Sequence, residues 1–344
     1  MRTRFLLLAL TACGRLGFDA TPTPMPGTDG DSDGPSSDTS SPMSAKSCES
    51  LPATCGPTGN ASCCESLTVP GGTFFRSYDS VGYNTMTYPA TVSPFRLDKY
   101  EVTVGRFRAF VDAGFGTQAN PPTTVAFTTA NHAVWDPMWT AKLVASSAAL
   151  KTAINCFGTP TWTASPGANE NRPMNCITWY EAQAFCIWDG GYLPTEAEWN
   201  FAAAGGDEQR AYPWSNPPTS LMIDTGYAAY SPDGGTTCPV DGNTACDVND
   251  LLPVGSKPAG DARWGHSDMG GNVWEWTMDW YVTPYATTTC NDCVTLTNAT
   301  GYQVIRGGCW NYSPAGERVG ARAYDPDGPP DHDATAGVRC ARPI

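Results

Sequence analysis

Apolar residues recur at helical spacing in three stretches, all before residue 206, and alternate or scatter elsewhere. In "FRLDKYEVTVGRFRAFVDAG" an extended segment ends near Val102 and Thr103 is placed to cap a helix. Phe107, Phe110 and Val111 form that helix's apolar stripe, and Gly114 supplies its stop. A second helix opens at Thr178-Trp179-Tyr180-Glu181, a capping-box spacing, and continues through Ala182, Phe185 and Cys186. A third opens at Thr195-Glu196-Ala197-Glu198 and ends at Gly205-Gly206. The remaining half of the chain reads as short strands between long Gly, Pro and Asp loops, so the pattern predicts a loop-rich α+β fold.

Composition sharpens this. The 344 residues include 35 glycines and 30 prolines and are 11% aromatic, which suits a loop-rich fold better than a helical bundle. A formal charge of -14 argues against nucleic acid as a partner, because phosphates need Lys and Arg to displace their counterions. It also disfavours electrostatic adhesion to anionic lipid. Membrane attachment is expected by another route: "MRTRFLLLALTACG" has a basic start, an apolar run and small residues before Cys13. This reads as a lipoprotein signal over residues 1–12, with lipidation at Cys13. Residues 13–47 are a Pro/Ser/Asp tether too poor in apolar groups to fold. Export to an oxidising compartment makes disulfides the natural fate of the cysteines. Fourteen cysteines less Cys13 leave thirteen, an odd number. Cys48, Cys55, Cys63 and Cys64 form a knot over residues 48–68 whose three possible pairings stay open.

Six stretches then occur in order between Leu97 and Arg342: "LDKYEVTVGRFRAFV", "CITWYEAQAFCIWDGGYLPTEAEWNFAAAGG", "PVGSKPAG", "GGNVWEWTMDWY", "VIRGGCW" and "GVRCAR". Together they resemble the formylglycine-generating enzyme, or sulfatase-modifying factor, family. The resemblance assigns residues 69–344 to such a domain and implies a variant of the C-type lectin fold: a small twisted antiparallel sheet with a few flanking helices. It implies a structural calcium ion at the "GGNVWEW" loop, with Glu275 as side-chain ligand and Gly271, Asn272 and Val273 supplying oxygens. Trp274 and Trp276 would face the core on the alternate side of that strand. It further implies a Cys186–Cys340 disulfide. Proximity in sequence then suggests Cys156 with Cys176, Cys238 with Cys246 and Cys290 with Cys293, leaving Cys309 over.

The family's enzyme oxidises a substrate cysteine with two active-site cysteines and copper, a soft metal matched to thiolates. The corresponding stretch here, Asn311 to Gly328, contains no cysteine, so copper is not expected. Three histidines, His132, His266 and His332, are too dispersed to suggest an iron site. The resemblance places Arg306, Arg318 and Arg322 along the family's groove, with Arg339 as a groove residue or a structural ion pair. The expected function is a non-catalytic binding or scaffolding module, lipid-anchored at the outer membrane or cell surface rather than the inner membrane. Its partner would be an envelope protein, peptide or glycan. The alternative is a formylglycine-type oxidoreductase working through an atypical site at Cys309.

Overall fold

A computed structural model describes residues 45–123, 134–285, 289–298 and 300–344. The signal sequence, Cys13, most of the tether and His132 lie outside these residues. Of the helices, α1 (Val104–Asp112) follows Thr103, whose side chain accepts from the Arg106 N–H. Both α3 (Trp179–Trp188) and α4 (Glu196–Ala204) begin with complete capping boxes, Thr178 with Glu181 and Thr195 with Glu198, and α4 ends at Gly205 in the left-handed conformation. A short additional helix, α2 (Ser147–Ala153), is capped by Ser146; it has a single buried residue, Leu150, and so no apolar periodicity to betray it.

Ten short strands make three sheets rather than one. The first sheet sets β4 (Phe95–Asp98) between β1 (Ser66–Val69) and β10 (Ala341–Arg342), all antiparallel. The second sets β3 (Pro89–Val92) between β2 (Gly72–Phe75) and β6 (Cys290–Asn291), the latter pairing parallel. The third has the order β8 (Ala323–Tyr324), β7 (Gln303–Arg306), β5 (Trp274–Trp280) and β9 (Ala336–Gly337), with β5 and β9 parallel. The first extended segment stops at Asp98, short of Val102, where the chain turns into α1. In β5 all seven residues are buried, so its two faces do not alternate between core and solvent. Trp276 packs in the main core and Glu275, on the opposite face, is enclosed as well.

Residues from Met43 onward form one compact unit. β1 crosses the expected boundary between knot and domain and pairs with β4, so the knot is joined to the body by a sheet edge. Its cysteines bond Cys48–Cys64 and Cys55–Cys63, and four further bridges join Cys156–Cys176, Cys186–Cys340, Cys238–Cys246 and Cys290–Cys293. Cys186–Cys340 clamps α3 to the chain's last strand across 154 residues. Beside it lies a fully buried network: Arg106 pairs with Asp98 at 2.9 Å and Asp189 at 2.7 Å, and Arg342 pairs with the same two acids at 3.2 and 2.8 Å. Arg106 also donates to the Cys63 carbonyl and Ser47, and Asp189 accepts from the Ser47 N–H, which fastens the knot to α1 and α3.

Removing one partner from such a network strands the others in a low-dielectric interior. Arg106→Met is expected to destabilise the fold by about 3–5 kcal/mol, read from the urea midpoint; an unchanged midpoint would show that Arg342 alone satisfies both carboxylates.

Candidate functional site

Three groups of polar residues stand near Glu275 and Arg306, which the antiparallel register of β5 and β7 sets opposite one another. The first forms the wall of a cleft. α4 presents the buried Glu196, whose carboxylate accepts from Arg306 Nη2 at 2.6 Å and from Nε and Nη2 of Arg322, the latter at 2.7 Å. Tyr285 lies between two guanidiniums, with Arg76 4.3 Å and Arg322 3.9 Å from its ring centroid. Its hydroxyl joins Ser77 and Arg306, each at 2.9 Å. These residues close one end of a cleft of about 350 Å³ that Tyr83, Asn84 and Tyr88 also line. Asp79 holds the loop carrying Tyr83 by accepting three N–H groups, from Val81, Gly82 and Tyr83, and it pairs with Arg318. Gly320 is required beneath Tyr83, since a Cβ there would lie 2.5 Å from the ring.

Arg306 and Arg322 pair with Glu196, whose carboxyl they hold down to about 2 despite burial. The neighbouring Asp279 is pushed up to about 7, by burial first and then by Glu196. Arg76 and Arg322 both line the cleft, so guanidinium groups form its wall in a chain whose net charge is -14. The cleft suits an anionic group, which could bond guanidinium and hydroxyl donors while an aromatic or sugar face rests on tyrosine.

The second group is Cys309 with Glu317, immediately after β7. Cys309 is 1% exposed and is the free thiol among the described residues. It donates to Asn311 Oδ1 at 3.0 Å. Burial, followed by the Glu317 carboxyl, pushes this thiol well above its usual value. Burial likewise raises Glu317 far above the carboxylate range, outweighing the Cys309 and Gly271 N–H groups that face it. Gly308, at φ +78°, is the backbone beside this acid: a Cβ would fall 2.3 Å from a Glu317 oxygen. The thiolate needed for nucleophilic attack or for gripping a soft metal is disfavoured here.

The third group is the "GGNVWEW" loop. Both Glu275 oxygens accept from Arg339, at 2.7–3.0 Å, and Oε2 also accepts from the Trp199 indole at 2.7 Å. Asn272 spends Oδ1 on the Leu252 N–H, its carbonyl on Trp310 and its Nδ2 on Glu101. Two unforeseen acids complete the group. Glu101 accepts from the Val273 N–H, and its carboxyl is driven well above the usual range by burial, then by Asp268 and Glu275. Asp268 accepts from Gly255 and rises to about 6, again chiefly by burial. Three carboxylates against Arg339 leave two negative charges to be met by protons or a hard cation. The oxygens are of the type calcium takes, but Arg339 and Trp199 occupy Glu275 and the Trp310 N–H occupies the Asn272 carbonyl. The three carboxylates do not bring their oxygens within 4.8 Å of one another, so the expected calcium ligands are not assembled for an ion.

Of the expected groove residues, Arg322 lines the cleft, Arg318 braces its rim through Asp79, and Arg306 is buried behind it. Arg339 is an internal ion pair. His266 is buried and held neutral, down to about 3, while His332 pairs with Glu181 at 3.1 Å, so the two do not converge. In the loop "DGNTACDVND", Asp247 and Asp250 cap one another's backbone. Arg76, Ser77 and Tyr285 escaped notice because they come from loops with no periodicity or motif. The acids Glu101 and Glu317 were equally silent, each being an isolated carboxylate in sequence.

Comparison with known proteins bears on this site. Residues 52–344 match the family described as sulfatase-modifying factor enzyme 1-like domain. The chain is 31% identical over 289 residues to the formylglycine-generating enzyme of Streptomyces coelicolor, covering 79% of this chain and 85% of that protein. It is 30% identical over 234 residues to the inactive C-alpha-formylglycine-generating enzyme 2 of Mus musculus, covering 62% and 68%. Among solved structures, PvdO from Pseudomonas aeruginosa shares the fold, with a TM-score of 0.57 and 20% identity over 88% of this chain and 98% of that one.

Glu196→Gln should destabilise the protein by about 3–5 kcal/mol in urea unfolding at neutral pH, because it strands two guanidiniums. Glu196 has a folded pKa below its unfolded value, so its contribution is complete above pH 4.5 and is lost as pH falls through about 2. Wild type and variant stabilities should converge on acidification across that window; a constant gap would place the stabilisation elsewhere.

Proposed function

Since the chain belongs to the sulfatase-modifying factor enzyme 1-like family, we propose that it is a non-catalytic member: an exported, lipid-anchored module that binds an anionic ligand at the cell envelope. The observation that carries this reading is the state of its sulfur. Among the described residues twelve cysteines are bridged, and the thirteenth, Cys309, is buried with its thiol held protonated. Two converging thiolates would be needed to hold linear Cu(I), and one buried thiol does not provide them. A relative whose name marks it as inactive is a precedent within the family.

The cleft walled by Arg76, Tyr285 and Arg322 is the ligand site in this reading. Its guanidiniums would bond a carboxylate, sulfate or phosphate on a peptide or glycan, and its tyrosines would cover the ligand's apolar face. Disulfides and buried ion pairs fix the loops, so little ordering entropy is lost on binding. A structural calcium at the Gly271–Glu275 loop, as the resemblance implies, would have to displace Arg339 from Glu275. The lipid on Cys13 and the tether would display the module at the outer membrane or cell surface.

Two measurements test this. Iodoacetamide with peptide mapping should modify Cys309 only after unfolding, and the native protein should consume no oxygen with a cysteine-containing peptide; turnover abolished by Cys309→Ala would overturn the reading. Screening acidic oligosaccharides and peptides should find ligands whose affinity falls about tenfold or more in Arg76→Ala, the scale of one lost charged hydrogen bond. Equal affinity in the variant would move the ligand away from this cleft.

A further inference from the structure

The loop between β8 and β9, "YDPDGPPDHD", brings Asp325, Asp327 and Asp331 together: each offers a carboxylate oxygen, and the three oxygens lie within 4.8 Å of one another. Acidic clusters on solvated loops are commonplace, but one member here is not solvated. Asp325 is 1% exposed, and its Oδ2 is buried with no hydrogen-bond partner. Its Oδ1 accepts from the Asp327 N–H, which leaves the second oxygen uncompensated. A buried carboxylate oxygen without a donor costs free energy, and two further carboxylates beside it add repulsion. Burial first, then the charges of Asp333, Asp331 and Asp327, push the Asp325 carboxyl up to about 6.

The geometry points to a divalent-cation site, of calcium type, formed by Asp325, Asp327 and Asp331. Calcium takes six to eight oxygens in a flexible shell, which suits loop carboxylates completed by carbonyls and water. The neighbouring candidates are already committed. Asp333 Oδ1 accepts from both the N–H and the hydroxyl of Thr335, and His332 pairs with Glu181. The loop backbone is held from both sides: Gly328 donates to Asp325 O, Asp331 donates to Gly328 O, and the Trp179 and Cys176 N–H groups fasten Pro329 and Asp333. A fixed frame of this kind keeps the carboxylates together despite their repulsion. Access is open, because Asp327 borders a second cleft of about 710 Å³ with Trp139, Tyr180, Trp280 and Tyr302 on its walls. This site stands apart from the Arg76–Tyr285 cleft and does not depend on what binds there.

The test is calorimetric titration of the full mature chain with calcium chloride after EDTA treatment, comparing wild type with Asp327→Asn/Asp331→Asn. The variant should lose one calcium equivalent relative to wild type, so a second ion at the Glu275 loop does not confuse the result. Asp327 is exposed and Asp331 half-buried, and melting in EDTA should be the same for both proteins. If the double variant folds poorly, the single Asp327→Asn substitution is used and should weaken that one equivalent. Equal stoichiometry and affinity in wild type and variant, or no calcium taken up by wild type, overturns the proposal.

Discussion

Buried guanidinium groups hold this protein's loops in place. With helices of seven to ten residues and strands of two to seven, regular structure cannot satisfy the interior backbone by itself, and every buried carbonyl needs a donor. Arginine offers five N–H groups in a rigid fork. Arg339 uses its fork on Glu275 and on the carbonyls of Asp98, Lys99 and Ser267. Arg306 reaches the carbonyls of Val319 and Ala321 together with Ser77, Tyr285 and Glu196. Arg342 and Arg106 do the same around Asp98 and Asp189. Each fork joins segments remote in sequence, and each is balanced by acid, so the cost of burying charge is met by pairing.

The same constraint shapes the cleft. Arg306 and Arg322 are needed inside to neutralise Glu196 on α4, and Arg322 also lines the opening with Arg76 beside Tyr285. Structural pairing and ligand recognition thus draw on one set of side chains. Beyond Arg306 in the chain, Cys309 and Glu317 are buried where neither ionises readily. Position after β7 alone does not confer thiol chemistry; access and an electropositive surround do.

Acids, by contrast, are left in excess at two places. Around the β5 loop, Glu101, Asp268 and Glu275 have Arg339 as their counter-charge. In the β8–β9 loop, Asp325, Asp327 and Asp331 gather with no arginine or lysine paired to them among the described residues, and His332 beside Asp331 pairs with Glu181. The second brings its carboxylate oxygens close enough to share one hard cation, and the first does not. In the first, the guanidinium already occupies Glu275; in the second, one carboxylate oxygen is buried without any donor. The difference explains why the motif-bearing glutamate is the less available ligand.

Local signals in the sequence settled a good deal. Thr103, Thr178 and Thr195 mark three helix starts because capping is a contact within four residues, and Gly205 ends α4 because its φ must be positive. Six motifs in order identified the family and its mixed fold, and the absence of cysteine between Asn311 and Gly328 is visible by inspection. What the sequence could not express is anything that depends on segments meeting at long range. The division into three sheets with two parallel pairings follows from long crossovers, from Val92 to Cys290 between β3 and β6 and from Trp280 to Ala336 between β5 and β9. The full burial of β5 erases the alternation that a two-faced strand would show. That Glu275 belongs to Arg339, that Arg76 and Arg322 enclose Tyr285, and that Asp325 is buried were decided by tertiary packing alone. Charge pairing and burial are set by distance in space, and distance along the chain carries no record of it.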